Sequence, residues 1–246
     1  MKGIILAGGL ATRLKPLTQV TNKHLLPMYN KPMIFFPLRA MAKAGIKEVL
    51  LTSSPDHAGH FANLLKSGED FDLRLYYAVQ DNPVGGIANA MLLAREFAKD
   101  EKILVILGDN IFNYDLKKVV EEFEKKPQGA VIFGVKVQEN LKQYGVIEMN
   151  ESGKVISIEE KPENPKSDIA QSGIYLYDHR VFDFISQLKP SKRGQLEVSD
   201  LNNIYAKEGT LTCHLLDWWI DAGTSHDELH RANKLVHQKT KAGEFK

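Results

Sequence analysis

The sequence has little cysteine, no excess of charge of either sign and no long apolar run, and each absence excludes a class of protein. Cys213 is the only cysteine, so the chain cannot form an internal disulfide and nothing indicates an oxidising compartment. The 32 lysines and arginines are balanced by 31 aspartates and glutamates, which argues against a broad nucleic-acid-binding surface. No apolar run approaches the roughly 18 residues of a membrane span, and no targeting leader precedes the first expected strand. We therefore expect a cytoplasmic protein that binds neither nucleic acid nor membrane.

Several common site motifs are also missing. Gly8 is followed neither by the Gly-x-x-x-x-Gly-Lys-Ser/Thr pattern of a P-loop nor by the third glycine of a dinucleotide-binding fingerprint. The eight histidines include no His-Glu-x-x-His pair, and no set of nucleophile, base and orienting residue indicates a hydrolase. Cys213 is expected to be a buried strand residue rather than a nucleophile.

What the sequence does contain is a glycine turn directly after a short apolar run. Residues Gly3–Ala7 predict a buried strand, and Gly8 and Gly9 would let the backbone approach a ligand. Exposed backbone N–H groups beside the donor fork of Arg13 would form an anion cradle that suits a polyphosphate, and Lys23 adds a positive charge. The alternative is a tight strand-to-helix turn with two surface cations. The combination of these features favours the cradle.

The order of the apolar runs predicts a single α/β domain. Up to about residue 128, short buried strands alternate with helical patterns, which is typical of a largely parallel sheet covered on both faces. From Gly129 onward strands and turns predominate, and a final helix is expected with Thr224 or Ser225 as its cap. The polar stretch Gln238–Lys246 is expected to fray. The predicted strands are Gly3–Ala7, Glu48–Thr52, Leu73–Val79, Ile103–Leu107, Ala130–Val137, Gly145–Met149, Val155–Glu159, Ile169–Tyr177 and Leu211–Leu215. The other predicted helices are Pro32–Ala44, His57–Ser67, Ile87–Ala98, Leu116–Lys126, Val181–Leu188 and Val198–Lys207.

Two aspartates follow apolar segments and meet turns. Asp109 comes after the strand expected at Ile103–Leu107, and ligands of open α/β sheets bind beyond the carboxyl ends of the strands. A carboxylate there can hold a magnesium ion that carries substrate phosphates, although it can equally cap the following turn. Asp221 precedes Ala-Gly-Thr, and by itself this pattern favours a helix-entry residue.

Two further segments carry weaker signals. Gln80 follows a strand, and its amide offers the donor and acceptor that suit the imide edge of thymine or uracil, while Gly85 and Gly86 would admit a base. Glu160 and Lys161 close another strand before a proline. Neighbouring side chains of a regular strand point to opposite faces, so these two can share a site only at a twisted strand end. The alternative is an exposed, charged hairpin edge.

Five segments, taken in order, resemble the sugar-1-phosphate nucleotidylyltransferase family, and the resemblance runs from Met1 to about Val236. They are Gly8-Gly-Leu-Ala-Thr-Arg13, Lys23-His-Leu-Leu-Pro27, Leu107-Gly-Asp109-Asn110, Glu159-Glu-Lys161-Pro162 and Asp221-Ala-Gly-Thr224. The resemblance implies one domain over 1–246 with a Rossmann-like three-layer nucleotidyltransferase fold and a largely parallel mixed central sheet. Within it we expect a nucleotide-binding part at about 1–128, a sugar-phosphate-binding part at about 129–237 and a polar tail at 238–246. It also implies a short form, because longer members continue with further helices, and a homo-oligomer, most commonly a tetramer.

Roles are assigned by resemblance, position by position. The catalytic residues expected are Arg13, Lys23, Asp109 and Asp221, with Mg²⁺ as the cofactor held by Asp109 and Asp221. The expected nucleotide-binding residues are Leu6, Gly8, Gly9, Thr12, Arg13, Gln80, Gly85, Gly86 and Asp109. The expected sugar-phosphate-binding residues are Tyr144, Gly145, Glu160, Lys161, Ser172 and Arg193.

Three positions depart from the family pattern. Ala11 replaces a glycine of the opening loop, where an alanine fits if its φ is negative. Gln195 stands where a glutamate is usual, which leaves any role of that position open. Gln171 is an unusual polar residue on a strand expected to contact the sugar, and it is the first place to look for an altered sugar preference.

The resemblance implies magnesium-dependent nucleotidyl transfer from dTTP to α-D-glucose 1-phosphate by direct in-line attack, giving dTDP-glucose and pyrophosphate. The partners would therefore be small molecules, a nucleoside triphosphate and a hexose 1-phosphate. One alternative is the same chemistry with UTP and glucose 1-phosphate or with GTP and mannose 1-phosphate. Another is a non-catalytic sensor of nucleotide sugars.

Overall fold

The structure is a computed structural model that describes residues 1–81 and 84–245. Within these residues the strands are β1 Lys2–Ala7, β2 Pro27–Met28, β3 Lys31–Pro32, β4 Glu48–Ser53, β5 Arg74–Val79, β6 Ile103–Leu107, β7 Asn110–Phe112, β8 Ala130–Lys136, β9 Gly145–Met149, β10 Val155–Glu160, β11 Ile169–Tyr177, β12 Leu211–Leu215 and β13 Trp219–Asp221. The α-helices are α1 Phe35–Lys43, α2 Ala58–Leu65, α3 Ile87–Met91, α4 Arg95–Ala98, α5 Leu116–Lys125, α6 Val181–Gln187, α7 Val198–Glu208 and α8 His226–Lys241.

The central sheet contains nine strands within the described residues, in the order β10-β9-β11-β6-β1-β4-β5, with β8 and β12 attached beside β11. Strands β6, β1, β4 and β5 are parallel, as expected where helices or long connections link successive strands. Strand β11 runs antiparallel to β6, β8 and β9. The predicted α/β class, with a Rossmann-like arrangement and a mixed central sheet, is confirmed.

The layers follow from the alternation of side chains along the central strands. On β1, Ile5 and Ala7 join an apolar cluster with residues of α1, α2 and α5, whereas Ile4 and Leu6 join a second cluster with residues of α3, α6 and α7. Successive side chains of a strand point to opposite faces, so helices cover both faces of the sheet. The three-layer prediction is confirmed.

The predicted strands agree with the structure to within one residue at each end. The helices differ more. The helix predicted from Pro32 begins at Phe35, because Lys31–Pro32 pairs with Pro27–Met28 in a small hairpin. The helix predicted at Ile87–Ala98 is divided by a 3₁₀ turn at Leu92–Ala94. The cap prediction is confirmed at Ser225, whose hydroxyl accepts a hydrogen bond from the N–H group of Glu228 at 3.1 Å.

The prediction that the polar tail frays is wrong over the described residues. Helix α8 continues to Lys241, and the ring of Phe245 packs edge-on against Phe36 and Trp218 at centroid distances of 5.1 and 6.0 Å. Lys239 Nζ also lies 2.9 Å from a carboxylate oxygen of Glu244. Phe245 therefore packs against the domain, and the amide of Asn113 adds a hydrogen bond to Glu244 at 3.1 Å. The last residue, Lys246, lies outside the described residues.

No helix within 1–81 and 84–245 combines the length and apolarity needed to cross a bilayer.

Candidate active site

A loop after β1 forms one wall of a cleft at the carboxyl ends of the parallel strands. Gly8 lies so close to the Gln80 side chain that any Cβ there would overlap the amide oxygen, and Gly9 has a φ of +94°. Ala11 has a φ of +45°, not the negative value expected for an alanine. The loop therefore carries a left-handed alanine, a conformation that costs about 1–2 kcal/mol for a residue with a Cβ. The backbone turn is strained where the sequence departs from glycine.

Arg13 leaves this loop at the mouth of the cleft. It is exposed, and its Nη1 lies 3.5 Å from the carbonyl oxygen of Thr224. That carbonyl belongs to the turn after β13, so Arg13 spans the gap between the first loop and the turn that holds Asp221. Thr12, the residue before it, begins the same 3₁₀ turn and is exposed.

Lys23 and Asp109 form an ion pair at the floor of the cleft. Lys23 Nζ lies 2.5 Å from Asp109 Oδ2, and both side chains are largely buried. Asp109 follows β6, and Asp221 ends β13, which pairs with β7 so that Asp221 is the partner of Asn110. A Cβ at Gly223 would overlap the Asp109 carboxylate, so a glycine is required for the turn to close over this pair. The structure thus brings the two predicted aspartates to one point.

The charges of these groups are strongly coupled. Burial by itself would raise the pKa of Asp109, but the Lys23 ammonium holds it well below its ordinary range. Burial, together with the negative charge of Asp109, raises the pKa of Asp221 above its ordinary value. When both carboxylates are ionised, they and the Lys23 ammonium leave one negative charge in excess, and a bound cation would favour that state by stabilising the Asp221 carboxylate. Among the described residues no group of three or more metal-ligating side chains occurs, so a metal at this point would rely on substrate oxygens to complete its coordination.

His24 is a residue of the cleft that the sequence analysis missed, because histidines were considered there only as metal ligands. It is 2% exposed, and its Nδ1 lies 2.7 Å from Asn22 Oδ1. Burial and the neighbouring Lys23 charge lower the pKa of His24 to about 3, so the imidazole is neutral. Because the Asn22 oxygen is an acceptor, Nδ1 carries the proton and Nε2 keeps a lone pair. The adjacent Lys23-His24 dipeptide was the available signal.

The nucleotide-side pocket has a volume of about 420 Å³. Its walls include the predicted residues Leu6, Gly8, Gly9, Thr12, Arg13, Lys23, Gln80, Gly86, Asp109 and Asp221. Gln80 is 6% exposed. Gly85 lies beside this pocket, and its carbonyl accepts a hydrogen bond from the N–H group of Leu196 at 3.0 Å. Asn82 and Pro83, in the same predicted base-binding segment, lie outside the described residues.

An adjoining pocket of about 220 Å³ lies on the sugar side. Its walls include every predicted sugar-phosphate residue, namely Tyr144, Gly145, Glu160, Lys161, Ser172 and Arg193. Lys161 has a φ of +48°, and this left-handed residue ends the regular strand, so that Glu160 and Lys161 face the same pocket. The predicted twist of the strand end is confirmed. Trp219 also lines this pocket and lies edge-on to Tyr144.

Arg193 is held by acidic side chains at the edge of the sugar-side pocket. Its guanidinium lies 3.6 Å from Glu160 and 3.3 Å from Glu197, and it also contacts the amide oxygen of Gln195. Burial, followed by the charges of Arg193 and Arg13, lowers the pKa of Lys161. The cations are therefore close enough to repel one another, which is the electrostatic pattern of a site that receives an anion.

Cys213 lies outside both pockets. It is partly buried on β12, and burial raises the pKa of its thiol to about 12, so the thiol is unreactive at neutral pH. Its predicted place in a strand is confirmed.

Comparisons with known proteins agree with this geometry. The family described as "Nucleotidyl transferase" matches residues 2–239. A glucose-1-phosphate thymidylyltransferase of Neisseria meningitidis is 44% identical over 240 residues, which cover 96% of this chain and 82% of the relative. A solved structure from Bacillus anthracis, provisionally named a glucose-1-phosphate thymidylyltransferase and in complex with sucrose, has a TM-score of 0.90 and 45% identity, covering 96% of this chain and 95% of that one. A UDP-glucose pyrophosphorylase has a TM-score of 0.84 at 24% identity, covering 97% and 98% of the two chains, which shows likeness of fold.

Proposed function

The chain belongs to the nucleotidyl transferase family, and on that premise we propose that it transfers a thymidylyl group from dTTP to α-D-glucose 1-phosphate, giving dTDP-glucose and pyrophosphate. One observation carries the proposal: Arg13 and Asp221 line both the nucleotide-side and the sugar-side pocket. Two phosphate-bearing substrates would therefore meet between these residues. The names of relatives at 39–44% identity support dTTP and glucose 1-phosphate as the pair.

The reaction we propose is a direct in-line displacement. A phosphate oxygen of the sugar phosphate attacks the α-phosphorus of dTTP, and the bond to pyrophosphate breaks on the opposite side. The attacking phosphate is already anionic near neutral pH, so no general base is required. Chemistry of this kind needs mainly alignment and charge stabilisation.

Four cations share that work. Lys161 and Arg193, at the sugar-side pocket, would hold the attacking phosphate. Lys23, at the floor, would stabilise charge around the α-phosphate. Arg13 is exposed at the mouth, and its five fixed donors suit the departing pyrophosphate.

Asp109 and Asp221 would hold Mg²⁺. Their fit rests on the excess negative charge described above and on oxygen donors, which this hard cation prefers. Magnesium in such sites is usually bound by one or two carboxylates together with substrate phosphates. The ion would supply charge neutralisation at the triphosphate, and the protein side chains would fix where the triphosphate lies.

The base would be read on the nucleotide side. The Gln80 amide offers one donor and one acceptor to the imide edge of thymine, with Leu6, Gly85 and Gly86 around it. Uracil has the same edge, and contact with one methyl group is worth only about 1–3 kcal/mol. Some use of UTP alongside dTTP is therefore expected.

We further propose a homo-oligomer, a tetramer, that acts in the cytoplasm. Light scattering after size-exclusion chromatography tests the assembly, and a mass of one chain of 27.7 kDa would contradict it.

The function is tested by pyrophosphate release with magnesium across dTTP, UTP, CTP, GTP and ATP, each paired with glucose, mannose and galactose 1-phosphate. The expected result is a dominant signal for dTTP with glucose 1-phosphate. A dominant signal from another pair would keep the proposed chemistry but change the proposed substrates. The regions of Gln80 and Gln171 would then be the places to look for the difference in preference. Binding of nucleotides without any pyrophosphate release would contradict the enzyme and favour a sensor.

A further inference from the structure

Strand β11 is irregular where it passes the sugar-side pocket. Its pairing with β8 changes register between Gln171 and Tyr175, and its pairing with β6 starts only at Ile174. Within this gap the Gly173 N–H group donates to Asn110 Oδ1 at 2.7 Å. Neighbouring residues of a regular strand would face opposite sides. Because the strand is interrupted, both Gln171 and Ser172 line the pocket.

The Gln171 amide is held in one orientation by buried neighbours. Asn202 is fully buried, and its Nδ2 donates to Gln171 Oε1 at 3.0 Å. The hydroxyl of the fully buried Tyr177 donates to Asn202 Oδ1 at 2.6 Å. A buried hydroxyl proton requires an acceptor, so Tyr177 fixes the carbonyl of Asn202, and Asn202 in turn fixes the carbonyl of Gln171. The NH₂ group of Gln171 is then the end available to Tyr175 and to the pocket.

Ser172 supplies a second polar group with a different property. Its side-chain oxygen is buried and has no hydrogen-bond partner among residues 1–81 and 84–245. The residue is 1% exposed and lines the same pocket. Buried hydroxyl groups in native proteins are almost always hydrogen-bonded. A ligand in the pocket would provide the partner that the protein does not.

We propose that the Gln171 amide and the Ser172 hydroxyl together recognise one ring hydroxyl of the hexose, and that this pair makes the chain selective among hexose 1-phosphates. The inference rests on the proposed function, because Lys161 and Arg193 must hold the sugar phosphate in this pocket. Glu160, an acidic residue of the same pocket, already accepts a hydrogen bond from Ser199 at 2.7 Å and pairs with Arg193. A sugar without the recognised hydroxyl would leave the Ser172 hydroxyl without a partner and the Gln171 amide without its contact in the pocket, and sites of this kind discriminate strongly.

The test uses the full chain with dTTP and magnesium, and compares kcat/KM for glucose 1-phosphate with that for its 2-, 3-, 4- and 6-deoxy analogues. The wild type is expected to lose about 100-fold or more with one analogue. Gln171→Met and Ser172→Ala should each lower kcat/KM for glucose 1-phosphate by about 10- to 100-fold. Toward that one analogue each variant should fall by less than about threefold, which is the coupling expected of interacting groups.

Stability separates recognition from a structural role. Ser172→Ala removes an oxygen without a protein partner, so its melting temperature should not fall below that of the wild type. The matched control for Gln171→Met is Gln187→Met, which alters an exposed residue of α6 and should change neither activity nor analogue ranking. If Gln171→Met does not fold, Ser172→Ala decides the test alone.

The inference is overturned if the wild type accepts all four deoxy analogues within about threefold of glucose 1-phosphate, or if the folded variants keep the wild-type ranking. These results would leave the proposed function intact. A wild-type chain that releases no pyrophosphate from any sugar phosphate would overturn both.

Discussion

On the nucleotide side of the cleft, the candidate site is made largely from backbone turns at the carboxyl ends of parallel strands. Gly8 and Gly9 follow β1, and Asp109 follows β6. On the sugar side, side chains hold other side chains: Arg193 lies between Glu160 and Glu197, and Asn202 fixes Gln171. Each turn of the nucleotide side is a short segment that directly follows its strand, whereas the sugar side depends on contacts between side chains of separate elements. A backbone cradle suits a phosphate chain. In a side-chain network, by contrast, a single substitution can change the contact with one sugar hydroxyl.

The largest effect is expected where the two sides meet, at Asp221. Asp221→Asn should lower kcat by about a thousandfold or more, because it removes one of the two carboxylates proposed for Mg²⁺. The fold should survive. The N–H group of Gly223 donates to Asp221 Oδ1 at 3.1 Å in the wild type, and an asparagine oxygen can still accept this hydrogen bond. Steady-state turnover at saturating magnesium measures the effect, and the exposed Asp217→Asn is the matched control. Near-normal turnover would remove Asp221 from the metal site.

The second-largest effect on kcat is expected on the nucleotide side, at Arg13. Arg13→Ala should lower kcat by about 100- to 1,000-fold, because a preorganised donor aimed at developing charge is lost. Lys15→Ala, an exposed cation two residues away, should leave kcat unchanged. An unchanged kcat for Arg13→Ala, with only a modest rise in KM, would reject its transition-state role.

The third effect is on stability and not on activity, and it is expected at Asp178. Asp178 is fully buried and accepts hydrogen bonds from Gly129 N, Arg180 and the Tyr205 hydroxyl. Asp178→Asn should lower the free energy of unfolding at pH 7 by about 2–3 kcal/mol, with little change in activity per folded molecule. Chemical denaturation measures it, and the exposed Asp183→Asn should change stability by less than about 0.5 kcal/mol.

The same carboxylate gives a pH dependence with a definite sign. Burial would raise the pKa of Asp178, but the Arg180 guanidinium and the Gly129 N–H group hold it below its ordinary value. A depressed folded pKa stabilises the protein above the ordinary aspartate pKa, near 4, and that contribution is lost as the pH falls through the folded value. The gap between wild type and Asp178→Asn should therefore shrink below about pH 4. A gap that widens on acidification would contradict this assignment.

The smallest effect concerns the strained position of the backbone cradle. Ala11→Gly should raise the free energy of unfolding by less than about 1 kcal/mol, because relief of the left-handed strain slightly exceeds the added entropy of the unfolded chain. Thermal denaturation measures it, with Ala222→Gly as a buried comparison that should destabilise instead. A lower melting temperature for Ala11→Gly would show that the alanine contributes contacts that outweigh its φ.

The two parts of the site also differ in how far the sequence predicts them. Asp109, Lys23 and the glycine turn could be proposed from local pattern, because an apolar run followed by glycine marks a strand end. Glu160, Arg193 and Tyr144 needed the family resemblance, because the pocket that they share joins separate segments of the chain; the Ser199 hydroxyl that contacts Glu160 is 39 residues away.

The features that the sequence analysis did not predict also depend on contacts between distant segments. The three-residue strands β7 and β13 are too short to show a period, yet their pairing places Asp221 beside Asn110. The docking of the tail depends on one phenylalanine in a polar stretch, and no local pattern shows that Phe36 and Trp218 receive it. His24 is buried by tertiary packing against Gly108, which composition cannot reveal.

The division into two sides is tested most directly by equilibrium binding of each substrate to Gln80→Ala and Lys161→Ala. Binding of dTTP is measured alone, and binding of glucose 1-phosphate is measured with a saturating, unreactive dTTP analogue. Lys161→Ala should weaken glucose 1-phosphate by about 10- to 100-fold and dTTP by less than about twofold, and Gln80→Ala should weaken dTTP about tenfold with little effect on the sugar phosphate. If either variant weakens both substrates equally, the nucleotide and sugar sides are not separate sites.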